Sequence, residues 1–188
     1  MSAEGDPGAG GAMTIPNLIT IARLLLVPLV VVAIGQGFWT LAFILFVVAG
    51  ISDAADGIIA RRFHLGSELG AYLDAIADKA LLVSIYVTLS ITGTLPGWLA
   101  VVVVSRDAMI VSAVLVSRLM DKPVEIKPLF VSKANTAAQI GFAALVLGAM
   151  SAGIAPGWWL VAGMLAVTAL TLLSAAAYLA AWLRHMAG

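Results

Sequence analysis

Ser52-Asp53-Ala54-Ala55-Asp56-Gly57-Ile58-Ile59-Ala60-Arg61, then a short polar loop, then Gly70-Ala71-Tyr72-Leu73-Asp74-Ala75-Ile76-Ala77-Asp78-Lys79: these two segments set four aspartates into a chain that otherwise reads as membrane. Asp53 and Asp56 stand three residues apart and Asp74 and Asp78 four apart, so on helices each pair shares one face. The loop from Arg62 to Leu69 is short enough to make the two helices antiparallel neighbours. At a rise of about 1.5 Å per residue, both pairs then sit roughly 6–12 Å below the loop and face one another. Four carboxylates at one depth in a low-dielectric slab repel strongly. They are tolerable when cations neutralise them or when some of them protonate. Hard oxygen ligands of this kind favour Mg²⁺ or Mn²⁺, and four of them suggest two ions.

Outward from that stretch the chain is apolar. Of its 188 residues 62% are hydrophobic and 11% charged, and the mean hydropathy is +1.09. A water-soluble domain cannot bury so much apolar surface, so the expected class is an all-α integral membrane protein. Cysteine is absent, which excludes disulfides and thiolate metal sites. The basic residues form no patch, so no nucleic-acid partner is expected. Residues 1–12 (MSAEGDPGAGGA) read as a flexible tail ahead of one domain over residues 13–188. They lack the apolar stretch of a signal peptide and the Arg-rich pattern of a transit peptide, which favours a bacterial cytoplasmic membrane over an organelle reached by import.

Gly/Pro turns at Gly35-Gln36-Gly37, Gly93-Thr94-Leu95-Pro96-Gly97 and Ala152-Gly153-Ile154-Ala155-Pro156-Gly157, with charged breaks at Arg61-Arg62-Phe63-His64 and Asp121-Lys122-Pro123, divide the chain into six spans. They cover residues 15–34, 38–61, 67–92, 97–119, 131–151 and 157–184, each near the ~20 residues needed to cross the hydrocarbon. The three turns carry no Lys or Arg, whereas the other side receives Arg61, Arg62, Lys122, Lys127, Lys133 and Arg184. By the positive-inside rule both termini and the aspartate loop face the cytoplasm, with Trp39, Trp98, Trp158 and Trp159 at the opposite edge.

Other polar residues enter the spans at the same side. Asn17, Thr20 and Arg23 form a seam at the start of the first; Arg23 reads either as a snorkelling anchor or as an acceptor contact. Arg106 and Asp107 are adjacent, so on a helix they are not expected to face each other, and each needs a partner elsewhere: a structural ion pair, or an anionic substrate for Arg106. Ser132, Asn135, Thr136 and Gln139 fall at i, i+3, i+4 and i+7, one polar stripe with Lys127 and Lys133 at its rim. It reads as a helix–helix hydrogen-bond seam or as a phosphate groove. The sixth span, Ala-, Leu- and Thr-rich without internal charge, is expected to serve packing. His64 and His185 read as solvated surface.

A paired metal site at this depth can clamp a pyrophosphate and stabilise an attacking and a leaving oxygen together. Gly57 and Ala60 remove bulk beside the acid face, and Arg61 offers a cationic fork for phosphate. The implied substrate has a phosphorylated head and a lipid tail. At these residues the sequence resembles the CDP-alcohol phosphatidyltransferase family, whose signature is D-x2-D-G-x2-A-R, a spacer, then G-x3-D-x3-D. Asp53, Asp56, Gly57, Ala60, Arg61, Gly70, Asp74 and Asp78 meet every fixed position.

The resemblance implies a six-helix fold, usually a homodimer, and transfer of a phosphatidyl group from CDP-diacylglycerol to an alcohol with release of CMP. It implies that Asp53, Asp56 and Asp74 hold two metal ions with Asp78 completing the second site. Asp53, Gly57, Ala60, Arg61 and Gly70 are then expected to contact CDP-diacylglycerol, and Asp78 to act as the general base. Within the family, Thr14-Ile15-Pro16-Asn17, Ser105-Arg106-Asp107 and residues 127–139 (KPLFVSKANTAAQ) are similar to the CMP-forming cardiolipin synthase branch. That branch implies phosphatidylglycerol as the acceptor, with Arg106, Lys127, Lys133, Asn135, Gln139 and Arg23 as candidate contacts. Phosphatidylglycerophosphate synthases share these outer motifs in part and would use soluble glycerol 3-phosphate. A divalent-cation channel is the non-enzymatic alternative; it requires acidic groups along a through-path, and the outer turns have none.

Overall fold

A computed structural model describes residues 15–63, 68–120 and 130–187, and among them the secondary structure is entirely helical. The helices are α1 (Ile15–Gly35), α2 (Trp39–Phe63), α3 (Glu68–Ile91), α4 (Gly97–Leu119), α5 (Phe130–Ser151) and α6 (Trp158–Ala187). Their bounds agree with the six predicted spans to within three residues. Among the described residues three stretches are long and apolar enough to cross a membrane: Gly97–Ser117, Phe130–Ser151 and Trp158–Met186. The described parts of the first three helices hold the apolar stretches Ala22–Gly35, Trp39–Asp53 and Lys79–Ile91. The tail expected over residues 1–12 lies outside the described residues.

Glycine stops the helices where the turns were expected. Gly37, Gly93 and Gly153 take φ values of 74°, 75° and 67°, the left-handed region that a Cβ disfavours. At the first, Gly37 N donates to Ile34 O (3.0 Å) and Phe38 N to Ala33 O (2.8 Å). At the last, Gly153 N donates to Met150 O (3.2 Å) and Ile154 N to Ala149 O (2.8 Å). Each bond pair satisfies carbonyls that the helix end would otherwise leave open. Ser151 Oγ donates to Thr40 Oγ1 at 3.0 Å, so the end of α5 and the start of α2 share one edge.

Packing gives α1 a position the sequence did not suggest. It packs on both α2 and α3; α2 also packs on α5, α3 on α4 and α5, and α6 on α4 and α5. Among the described residues α1 thus contacts both acid-bearing helices. Small residues permit this. Ala33 on α1 and Ala42 and Ala49 on α2 are buried, as are Val30 and Ile34, so α1 and α2 approach closely along one seam. Leu81, Ile85 and Leu89 form the corresponding buried row of α3, with Leu99 and Val103 of α4 and Phe142, Val146 and Leu147 of α5 completing the core.

The α5–α6 contact is tight at Gly163, where an added Cβ would collide with the ring of Phe142, itself 5% exposed and fixed in the core. Gly163→Ala is expected to cost about 1–3 kcal/mol through overpacking. Gly141→Ala, which meets nothing within 4 Å, is expected to be neutral or stabilising by up to about 1 kcal/mol. Thermal denaturation of the two variants in the same micelles checks the contrast.

Candidate active site

The site begins where the apolar α1–α2 seam ends. On α2, Asp53 follows Ala49 by four residues and so continues the row Ala42, Phe46, Ala49; on α1, Arg23 precedes Val30 by seven. The two meet: Arg23 Nη1 donates to Asp53 Oδ1 at 2.7 Å, with the arginine side chain 1% and the aspartate 40% exposed. A guanidinium at that depth is tolerable because a carboxylate neutralises it. Arg23 is thus no snorkelling anchor. Asp53, by contrast, remains reachable, and a carboxylate has acceptor capacity left after one hydrogen bond.

The other signature residues have defined places in the helices. Asp56, Gly57, Ala60 and Arg61 belong to α2, and Gly70, Asp74 and Asp78 to α3; their side chains lie outside the described part of the structure. Asp74 and Asp78 precede Leu81 and Ile85 of the buried α3 row by seven residues each. Of the predicted four-acid cage only Asp53 has a described side chain, and among the described residues no three metal-ligating side chains cluster. Lys127 falls outside the described residues.

A second polar cluster ties α3 to the back of the bundle. Lys79, next to Asp78, places its Nζ 2.7 Å from Asp107 Oδ2. Asp107 Oδ1 accepts from Arg106 Nη1 at 2.6 Å. The expectation that adjacent Arg and Asp cannot pair is therefore corrected: the arginine side chain is long enough to double back along the helix. Arg106, 5% exposed, also donates through Nη2 to Ser132 Oγ of α5 and at 2.8 Å to Ser174 Oγ of α6. Its guanidinium carbon lies 5.5 Å from the centroid of the Tyr178 ring.

The α5 stripe is met by α6. Thr171 Oγ1 donates to Asn135 Oδ1 at 2.9 Å and accepts from Gln139 Nε2 at 3.3 Å. Tyr86 OH of α3 donates to the Gln139 backbone oxygen at 3.0 Å. Asn135 and Gln139 are 0% and 3% exposed, so they form a helix–helix seam, whereas Lys133 is exposed at its rim. α6 therefore does more than pack: Thr171, Ser174, Tyr178 and Trp182 all present partners, the indole Nε1 donating to Ser117 Oγ at 2.8 Å. With Val167 they recur every three or four residues. That period was readable in the sequence but is muted because Ser and Thr among so many alanines carry little polarity.

With this geometry in hand, comparison with known proteins is direct: the family profile for CDP-alcohol phosphatidyltransferase matches residues 13–182. The chain belongs to the CDP-alcohol phosphatidyltransferase family. Among curated relatives, a probable cardiolipin synthase (CMP-forming) of Drosophila melanogaster is 39% identical over 153 residues, covering 73% of this chain and 48% of the relative. The cardiolipin synthase (CMP-forming) of Homo sapiens is 34% identical over 152 residues, 72% of this chain and 50% of the relative. A probable phosphatidylglycerophosphate synthase of Mycobacterium tuberculosis is 36% identical over 117 residues, 57% of this chain and 56% of the relative. The chain spans about half the length of the curated relatives it matches.

Membership in this family, with the apolar helices, makes the chain an integral membrane protein. The family generally uses divalent metal ions. The residues present fit such ions: the reachable Asp53 carboxylate is a hard oxygen donor, and Asp56, Asp74 and Asp78 repeat that donor type on α2 and α3.

Proposed function

We propose that the chain transfers the phosphatidyl group of CDP-diacylglycerol to phosphatidylglycerol, giving cardiolipin and CMP. The observation that carries this reading is the complete eight-position signature on α2 and α3, its first aspartate reachable from outside; relatives named cardiolipin synthase support the acceptor. Asp53, Asp56 and Asp74 would hold two Mg²⁺ or Mn²⁺ ions, with Asp78 completing the second site. Bound there, the ions supply charge neutralisation for the pyrophosphate and for the attacking and leaving oxygens. Arg61 binds phosphate oxygens, and Gly57, Ala60 and Gly70 leave room for the nucleotide head. The acceptor hydroxyl attacks the phosphatidyl phosphorus, the pyrophosphate bridge breaks toward CMP, and Asp78 takes the hydroxyl proton.

For the acceptor, exposed Lys133, with Lys127, suits the single phosphodiester charge of phosphatidylglycerol. Arg106, Asn135 and Gln139, buried against α6, act as positioning residues that hold α4 and α5 behind the acceptor. Arg23 positions Asp53. The full reading has six crossings with both termini in the cytoplasm, a homodimer, and a bacterial cytoplasmic membrane; the basic residues gathered on one side support the orientation. The relative named phosphatidylglycerophosphate synthase favours a second reading, with glycerol 3-phosphate as the acceptor.

Purified protein given CDP-diacylglycerol, phosphatidylglycerol and Mg²⁺ should release CMP and cardiolipin in equal amounts; CMP release without cardiolipin would refute the transfer. Asp78→Asn tests the base. Its turnover should fall about 10²–10⁴-fold and stay low in excess metal, whereas recovery at high metal would make Asp78 a ligand alone.

A further inference from the structure

We propose that Arg23 is a resident counter-cation of the metal site, one that holds Asp53 when no ion is bound and lowers the site's affinity for divalent ions. The proposal rests on the reading of Asp53 as a metal ligand. Its geometry is the 2.7 Å bond from Arg23 Nη1 to Asp53 Oδ1, donated by a side chain 1% exposed to one 40% exposed. The arginine is buried, whereas the carboxylate keeps exposed surface beyond this bond. An ion arriving from the headgroup region would therefore share Asp53 with the guanidinium rather than displace a solvated, mobile cation.

Placement on α1 strengthens the case. α1 packs on both acid-bearing helices, so one fixed positive charge enters the region where four carboxylates are gathered by sequence. A guanidinium does not lose its proton in proteins, so this charge is permanent. Two consequences follow from linkage. Without ions, Arg23 offsets part of the repulsion among the aspartates and stabilises the fold. With ions, its charge opposes theirs, so binding is weaker than the carboxylates alone would give. A role in shape alone would produce neither sign together with the other.

The test uses the full chain in micelles and reads Mn²⁺ binding from the resonance of the free ion, with thermal melts in chelator and in Mn²⁺. Arg23→Gln is expected to melt lower in chelator, to gain more from Mn²⁺ than the parent, and to bind Mn²⁺ roughly tenfold more tightly, the scale of a screened charge a few Å from a dication. Arg23→Lys keeps the charge and should bind within about threefold of the parent. Unchanged or weaker binding by Arg23→Gln would overturn the proposal. If that variant survives only in Mn²⁺, it should unfold on chelation; a variant unfolded in both conditions would also overturn it. Asp53→Asn separates the two levels: it should weaken Mn²⁺ binding at least about tenfold, and no change there would sink the metal reading itself, whatever Arg23 shows.

Discussion

Asp74→Asn is expected to reduce phosphatidyl transfer at least about 10³-fold, the scale on which loss of charge stabilisation at a transferring phosphoryl group is felt, while the helix content and melting temperature stay close to the parent's. The substitution keeps the size of the side chain and removes the charge. Asp74 stands two turns before Leu81, so the substitution leaves the residues of the buried α3 row unchanged. Relief of repulsion among the aspartates can even stabilise the variant. CMP release and a thermal melt on one preparation check both halves; near-parental turnover in excess Mg²⁺ would contradict a shared two-ion site.

Arg106→Leu should produce the opposite pattern, a large loss of stability. The guanidinium is 5% exposed and bonds Asp107, Ser132 and Ser174 on three helices while lying over Tyr178. Leucine fills part of the volume but leaves the fully buried Ser174 hydroxyl without this partner and strips one of the two cations from Asp107. A cost of about 2–5 kcal/mol is expected. Arg106→Lys should recover little of it, since one ammonium cannot reproduce a fork that reaches α5 and α6 together. Lys133→Ala, at an exposed position, should stay within about 0.5 kcal/mol of the parent and instead raise the KM for phosphatidylglycerol. Melting curves sort the two classes, and KM values for each lipid confirm the sorting.

Much of this was legible in the residues. The helices were readable because Gly and Pro punctuate apolar runs of membrane-spanning length, and the left-handed glycines at Gly37, Gly93 and Gly153 occupy the expected turns. The acid motif was readable because charge inside such runs demands a reason. Pairings were less so. Nothing in a spacing of thirty residues announces that Arg23 meets Asp53, since that depends on α1 lying against α2 and α3 together. The Arg106–Asp107 bond escaped a rule built on Cβ directions, which a long side chain can evade. The α6 row of Thr171, Ser174 and Tyr178 gained meaning only once Asn135, Gln139 and Arg106 were found to need partners.

The central claim is the identity of the reaction, and one assay reaches it directly. Purified protein is placed in mixed micelles with CDP-diacylglycerol labelled in its phosphatidyl phosphorus and with Mg²⁺, and phosphatidylglycerol and glycerol 3-phosphate are supplied together. The account predicts that label passes into cardiolipin in step with CMP release, and that Asp74→Asn abolishes it. Label found in phosphatidylglycerophosphate, with none in cardiolipin, would contradict the account.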